Sequence, residues 1–282
     1  MSQSVLVTGA STGIGRATAL HLDGRGWTVF AGVRRREDGQ ALADRSSQRL
    51  EPVILDVTNE REIGRVAAEL DESVGEEGLA GLVNNAGVFI GGPLELLPLD
   101  DFRGALEVNL TGQVAVTQAM LPALRRARGR IVFITSIGGR IAAPFGAPYH
   151  ASKWGLEAVA ESLQGELAPF GVQVSTVEPA TVTTEIWRKG QEYGNEARER
   201  MGEEGERLYG RAVDAMFAVA READERGIPP ERVAKVIERA LTTSRPRARY
   251  LVGREARVMV AVRNLVGPRR WSRLARRQMR LP

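Results

Sequence analysis

The stretch YHASK, residues 149–153, sets a tyrosine and a lysine four positions apart, a spacing that puts both on one face of an α-helix. A free phenol titrates near pH 10, too high for ready proton exchange at neutrality. An ammonium about 4–5 Å away contributes roughly 3–4 kcal/mol at an effective dielectric near 20, equivalent to a drop of about two to three pKa units. The pair therefore predicts an acid/base centre in which Tyr149 moves the proton and Lys153 lowers its pKa. Of the 39 basic residues in the chain, only Lys153, Lys189 and Lys235 are not arginine. A compact ammonium fits between two partners where a planar guanidinium fork does not. His150 is rotated about 100° from Tyr149 on the same helix and is given no part in the proton transfer. LEAVAESLQGEL continues that helix, with Leu156, Val159, Ala160, Leu163 and Leu167 as its buried stripe.

Such a helix needs a sheet to hold it. Short β-branched runs at 4–8, 28–33, 52–56, 81–85, 130–135, 172–178 and 249–253 alternate with amphipathic segments such as 61–70, 102–124 and 230–242. This alternation predicts right-handed βαβ crossovers and an α/β fold, one doubly wound Rossmann-type parallel sheet with helices on both faces. No linker divides the chain, so residues 1–282 read as a single domain. The rhythm breaks over 186–226, where acids and arginines alternate around Met201, Leu208, Tyr209, Met216 and Phe217. That segment reads as a helical insert between two strands, a lid over a substrate site.

The first strand leads into TGASTGIG (8–15). Gly9, Gly13 and Gly15, between a strand and a helix that starts near Gly13, let the backbone turn sharply and approach a pyrophosphate. The helix N-terminus then offers its unpaired N–H groups. Ser136 ends the fifth strand in FITSIGG, at the carboxyl edge where open α/β sheets bind ligands. Taken in order, TGASTGIG, NNAG (84–87), Asn109, Ser136 and Tyr149-x-x-x-Lys153 resemble the short-chain dehydrogenase/reductase family. GLVNNAGVF, ELAPFGVQVSTVEP and PPERVAKVIERALTTSRPRARYLVG are similar to its branch of retinol and 17β-hydroxysteroid dehydrogenases.

The resemblance implies that Ser136 holds the substrate oxygen, that Asn109 supports a water-based proton relay to Lys153, and that Lys153 also hydrogen-bonds the nicotinamide ribose. It places a nicotinamide dinucleotide on Gly9, Ser11, Thr12, Gly13, Ile14 and Gly15, its adenine at Asp56 and Val57, its adenine ribose at Asn85, Ala86 and Gly87, and its carboxamide at Val182 and Thr184. Where the family usually has Pro-Gly after the sixth strand, this chain has Pro179-Ala180, and the added methyl is expected to disturb the backbone approach to the nicotinamide. The second strand is followed by Arg34, Arg35 and Arg36, with no acid before Glu37. An acid there would bind the ribose 2′-OH, whereas arginine accommodates a 2′-phosphate. Arg34 and Arg35, with the Ser11 hydroxyl, predict NADP(H), NAD(H) being the other candidate.

The absence of cysteine and the presence of only His21 and His150 argue against disulfides, thiolate chemistry and a metal site. The N-terminus lacks the look of a signal peptide, and no apolar run nears the roughly 18 residues of a membrane span, so a cytoplasmic protein is expected. Residues 263–282 carry seven arginines and no acid; this basic tail either packs on its own domain or makes peripheral contact with a membrane surface. Nucleic acid is not expected as a partner. The expected reaction is hydride transfer between the nicotinamide and a small apolar alcohol or ketone/aldehyde (steroid-, retinoid- or lipid-like), and the resemblance implies a homo-oligomer, dimer or tetramer. A 3-oxoacyl-carrier-protein-type ketoreductase, a non-catalytic dinucleotide-sensing regulator and a membrane-surface scaffold are the alternatives.

Overall fold

The computed structural model describes residues 3–278, apart from the side chains at 223, 224, 268 and 278. Seven parallel strands form one sheet: β1 (Ser4–Val7), β2 (Thr28–Val33), β3 (Leu50–Ile54), β4 (Gly81–Asn84), β5 (Arg130–Ile134), β6 (Gln173–Pro179) and β7 (Arg249–Val252), in the order β3-β2-β1-β4-β5-β6-β7. The helices are α1 (Gly13–Gly24), α2 (Arg36–Ala43), α3 (Glu60–Val74), α4 (Leu99–Leu106), α5 (Gly112–Ala127), α6 (Ala147–Leu167), α7 (Glu185–Arg200), α8 (Gly202–Arg226), α9 (Pro230–Thr242) and α10 (Arg254–Gln278). β3 begins and ends two residues before the expected run 52–56, so that Pro52 lies inside it. An edge strand tolerates the missing N–H.

Alternation along each strand divides the core in two. Val5, Val7, Val29, Ala31, Val132 and Ile134 face one layer, packed by Ala19 and Leu22 of α1 and by Val233, Ile237 and Leu241 of α9. Leu6, Phe30, Ile131 and Phe133 face the other, under Val66 and Leu70 of α3, Val116, Met120 and Leu124 of α5, and Leu156 and Ala160 of α6. Full burial of one such side chain stabilises by about 1.5–3 kcal/mol, and the strict period of two explains why a one-residue slip in register is not tolerated. β1 pairs with β2 on one side and β4 on the other. The chain thus reverses its winding there, leaving a crevice at the carboxyl ends of β1 and β4.

Three regions depart from the expectation. The run 102–124 is not one helix: residues 107–111 form a π-turn between α4 and α5, which holds one more residue than an α-turn. The 186–226 segment is a pair of helices, α7 and α8. Phe217 of α8 fits against Gly194, where a Cβ would stand 2.5 Å from its ring, and Arg198 is paired with both Glu206 and Asp214. The basic tail, as far as it is described, is the end of α10, a helix broken at Gly267 (φ 72). It packs on the domain through buried Ala275 and through Trp271, whose Nε1 donates to Ala142 O at 3.3 Å; residues 279–282 lie outside the described residues. Among the described residues no helix is long and apolar enough to cross a membrane.

Candidate active site

A cleft of about 780 Å³ opens over the carboxyl ends of the strands. Beneath its floor lies buried Thr8, whose Oγ1 accepts from the N–H groups of Asn85 and Ala86 at 2.9 and 3.0 Å. Asn85 answers by donating from Nδ2 to Thr8 O and Gly9 O at 2.9 and 3.1 Å. The turn after β1 is thereby clamped to the end of β4. Gly9 has φ +64, and a Cβ there would stand 2.9 Å from Ala86 Cα; a Cβ at Gly15 would stand 2.2 Å from Gly9 O. No side chain caps α1 at Thr12, and its first turn carries no acid, so the N–H groups and positive end of the helix are left to an anion. A cradle that a single methyl would fill, closed by a bare helix N-terminus, fits a dinucleotide pyrophosphate.

Gly9, Ser11, Thr12, Gly13, Ile14, Arg34, Asp56, Val57, Asn85, Ala86, Gly87, Val182 and Thr184 all line this cleft, whereas Gly15 lies beneath it. Asp56 is held in a turn, one carboxylate oxygen accepting from Thr58 N and Oγ1 at 2.9 and 2.8 Å. Arg34 reaches the cleft and makes no ion pair among the described residues. Arg35 does not join it. At the start of α2 it turns back on its own helix and binds Asp38 through two of its nitrogens, at 2.9 and 3.0 Å. Lys189 of α7, which sequence reasoning left unassigned, lines the same cleft and its charge reaches Asp38.

The acid/base group gathers at the other end. Tyr149 stands in the first turn of α6, half-buried, and Lys153 follows one turn later, fully enclosed. Lys153 Nζ donates to Ile134 O at 2.9 Å, at the end of β5, and lies 5.9 Å from the centroid of the Tyr149 ring. Burial draws its pKa down to about 8, against the opposing pull of Glu157. The expectation that the lysine brings the phenol toward neutrality is therefore corrected. The ammonium lies toward the ring and is itself weakened, so burial pushes the Tyr149 phenol up, and the one opposing influence is its hydrogen bond with Ser136. Ser136 Oγ also accepts from Gly138 N at 3.0 Å, which fixes it at the start of a short 3₁₀ turn.

Asn109 is brought inward by the π-turn and is fully buried. Its Oδ1 accepts from Val88 N at 2.8 Å, and its Nδ2 donates to Val88 O at 2.9 Å and to Ser152 Oγ at 3.0 Å. It does not line the cleft but ties the segment after β4 to α6, and Gly87 is where it meets Lys153: a Cβ there would stand 3.3 Å from Asn109 Oδ1 and 3.7 Å from Lys153 Nζ. His150 accepts at Nε2 from Ala143 N (3.1 Å), so its proton sits on Nδ1, which donates to Gly138 O (2.9 Å). Burial lowers its pKa, opposed by that bond to Gly138, and the neutral ring serves to hold the loop from 138 to 146. The Ala180 methyl lies 3.1 Å from where a Cβ of Gly253 would be. The space that the extra methyl needs is provided by Gly253, which follows the neighbouring strand β7.

Opposite this polar floor is an apolar wall. Phe89 stacks at a tilt between Tyr149 and Trp187, with ring centroids 5.2 and 5.7 Å apart. Met216 and Val219 come from α8, and Met259, Trp271 and Ala275 from α10. Of the apolar residues singled out in the insert, Met216 reaches the cleft, Phe217 is used between the helices and Leu208 is 52% exposed. Phe89 and the α10 residues had no local signal, since their role exists only once distant segments meet.

Residues 3–194 match the family model described as short chain dehydrogenase. The chain belongs to the short-chain dehydrogenase family. It is 42% identical to retinol dehydrogenase 5 of Mus musculus over 261 residues (90% of this chain, 82% of that one) and 39% identical to 17-beta-hydroxysteroid dehydrogenase type 6 of Bos taurus over 260 residues (89% and 81%). Among solved structures it is similar to a short-chain dehydrogenase from Streptomyces avermitilis, with TM-score 0.76 and 29% identity over 98% of this chain and 97% of that one. A short chain dehydrogenase from Burkholderia cenocepacia in complex with NADP matches with TM-score 0.74 and 25% identity, covering 100% and 98%. The dehydrogenase is thus an oxidoreductase acting on alcohol groups, of the retinol and hydroxysteroid dehydrogenase branch.

Proposed function

We propose that the dehydrogenase interconverts an apolar alcohol and its carbonyl form with NADP(H). The observation that carries this reading is the convergence of Tyr149, Ser136 and Lys153 beside the glycine cradle, facing an apolar wall. The nicotinamide, when bound, donates or accepts the hydride. The Ser136 hydroxyl holds the reacting oxygen as charge develops on it, and Tyr149 Oη gives or takes the proton. Lys153, anchored to Ile134 O, keeps an ammonium next to the phenol and changes its own protonation near pH 8. Asn109 positions both by tying Val88 and Ser152 together.

Arg34 and Lys189, two of the cations that line the cleft, support NADP(H), and the acid beside them, Asp38, is already committed to Arg35. The similar Burkholderia cenocepacia structure was obtained with NADP. Phe89, Trp187, Met216 and Met259 support a steroid-, retinoid- or lipid-like substrate, in line with the names of the relatives.

A screen of such alcohols and ketones followed by NADPH absorbance tests the reading. Tyr149→Phe should lower turnover at least a thousandfold while leaving cofactor affinity unchanged; substantial activity in that variant sinks the acid/base assignment. Arg34→Asp should weaken NADPH binding by about 1.5–3 kcal/mol, the range for a hydrogen bond to a charged group, and NADH binding much less. Equal losses for both cofactors would place Arg34 away from the 2′-phosphate.

A further inference from the structure

A second cavity of about 510 Å³ lies beside β7, and no residue lines both it and the cleft. Its wall holds Arg140, Arg239, Arg245, Arg247, Arg249 and Arg257 against one acid, Glu178. The sequence builds this concentration locally. In SRPRARY (244–250) arginine recurs at every second position, and in extended chain alternate side chains share a face. Arg239 comes from α9, Arg257 from the start of α10, and Arg140 from the end of the 3₁₀ turn that follows Ser136.

The charges do not cancel inside the cavity. Fully buried Glu178 is shared by Arg140 at 3.5 Å and Arg249 at 3.8 Å, and Arg249 is drawn further to Glu157 and Glu161 at 3.3 and 2.8 Å. The side chains of Arg239, Arg245, Arg247 and Arg257 have no ion-pair partner among the described residues. Four uncommitted guanidinium groups around one concavity repel one another and focus a positive field into it. A single carboxylate offers two oxygens, too few for four planar forks, whereas adjacent phosphates offer many acceptors in the geometry that arginine matches with two arms. The volume falls within the roughly 300–1,000 Å³ of small-molecule sites, which is more than one inorganic phosphate needs.

We propose that this arginine-lined cavity binds a ligand carrying two or more phosphate groups, either free in solution or displayed as a lipid headgroup. The full chain, holding one equivalent of NADPH so that the glycine cradle is filled and no free dinucleotide competes for the arginine cavity, is titrated calorimetrically with inorganic tripolyphosphate. In parallel it is spun with phosphatidylcholine vesicles that contain or lack phosphatidylinositol bisphosphate. The comparison variant is Arg245→Ala/Arg247→Ala/Arg257→Ala, three exposed positions whose loss leaves the fold and the cleft intact. The expected result is saturable binding that falls at least tenfold in the variant while Tm and cofactor affinity hold. Response to tripolyphosphate identifies a free ligand, and response only to the phosphorylated vesicles identifies a headgroup. Binding that is equal in the two proteins, or absent with both probes, overturns the proposal. So does a variant that changes the sedimentation of the protein without changing anion binding, because the surface would then be a contact between copies of the chain.

Discussion

On the side of the cleft built by residues 8–15, 84–88 and 149–153, the fastenings are buried or half-buried and run to backbone: Asn85 to Thr8 and Gly9, Asn109 to Val88, Lys153 to Ile134. On the side built by α7 and α8, they are ion pairs between long side chains at the surface, such as Arg198 to Asp214 and Arg188 to Glu185. Losing a partner of a buried polar group costs about 1–3 kcal/mol, whereas an exposed ion pair is worth about 0–1 kcal/mol. The first wall therefore fixes atoms where a hydride and a proton must be placed, and the second can shift to suit the shape of an apolar molecule. Rigidity is concentrated where chemistry needs it, and tolerance where only surface is read.

The largest effect expected from testing this contrast is at Gly15. Gly15→Ala adds a methyl 2.2 Å from Gly9 O and 2.4 Å from Asn85 Nδ2, so the clamp must open. Overpacking of this kind costs about 1–3 kcal/mol of stability, and cofactor affinity, measured by calorimetry, should fall at least a hundredfold. Near-normal binding would mean that the polar wall is softer than its fastenings suggest.

Lys153→Met sharpens the comparison by separating function from stability. The folded-state pKa of Lys153, about 8, lies below the ordinary lysine value of 10.5. Between those two values the unfolded chain holds a proton that the folded chain has released, so this group makes the wild-type protein more stable as pH rises from about 8 to 10.5. Below pH 8 the penalty of the buried ammonium is present in full, at most about 3 kcal/mol. The variant should lose turnover yet be as stable as the wild type or more so at pH 7 in urea denaturation, with any advantage shrinking by pH 10. Stability curves that run parallel across this window would contradict the buried-ammonium account.

The smallest effect is on the adaptable side. Hydrogen exchange across residues 186–226 should be faster than in the strands with cofactor alone, and should slow when substrate packs against Met216 and Val219. Protection that already equals that of β4 and β5 without substrate would make α7 and α8 a rigid wall, not a lid.

What could be read from the sequence follows the same division. The strands were legible because burial on both faces leaves unbroken apolar runs, and Pro230–Thr242 because its ends and its apolar stripe are local. The glycine cradle and the Tyr149–Lys153 pair were legible because spacing alone sets their geometry. Arg35 was misread because Asp38, three residues on, competes for it, and a row of three arginines does not reveal which one a neighbour has captured. The tuning of Tyr149 was misread because spacing reveals neither that the fold buries the phenol nor that Lys153 is tied to the backbone of β5. Phe89, Trp271 and Ala275 were invisible for another reason: they meet only after the chain has wound through every strand.

The π-turn at 107–111 has a consequence for how this dehydrogenase can change. An α-helix read as a screw has a phase, and one additional residue in a turn advances everything beyond it by about 100°. Val116, Met120 and Leu124 face the core only because that advance occurs just before α5, with Asn109 inside the widened turn. A substitution on the outer side of these five positions leaves the phase alone. Loss of one residue there, whatever its identity, would turn the screw back and point the apolar stripe of α5 away from the sheet. Over this stretch the number of residues is itself a structural coordinate, as specific as any side chain.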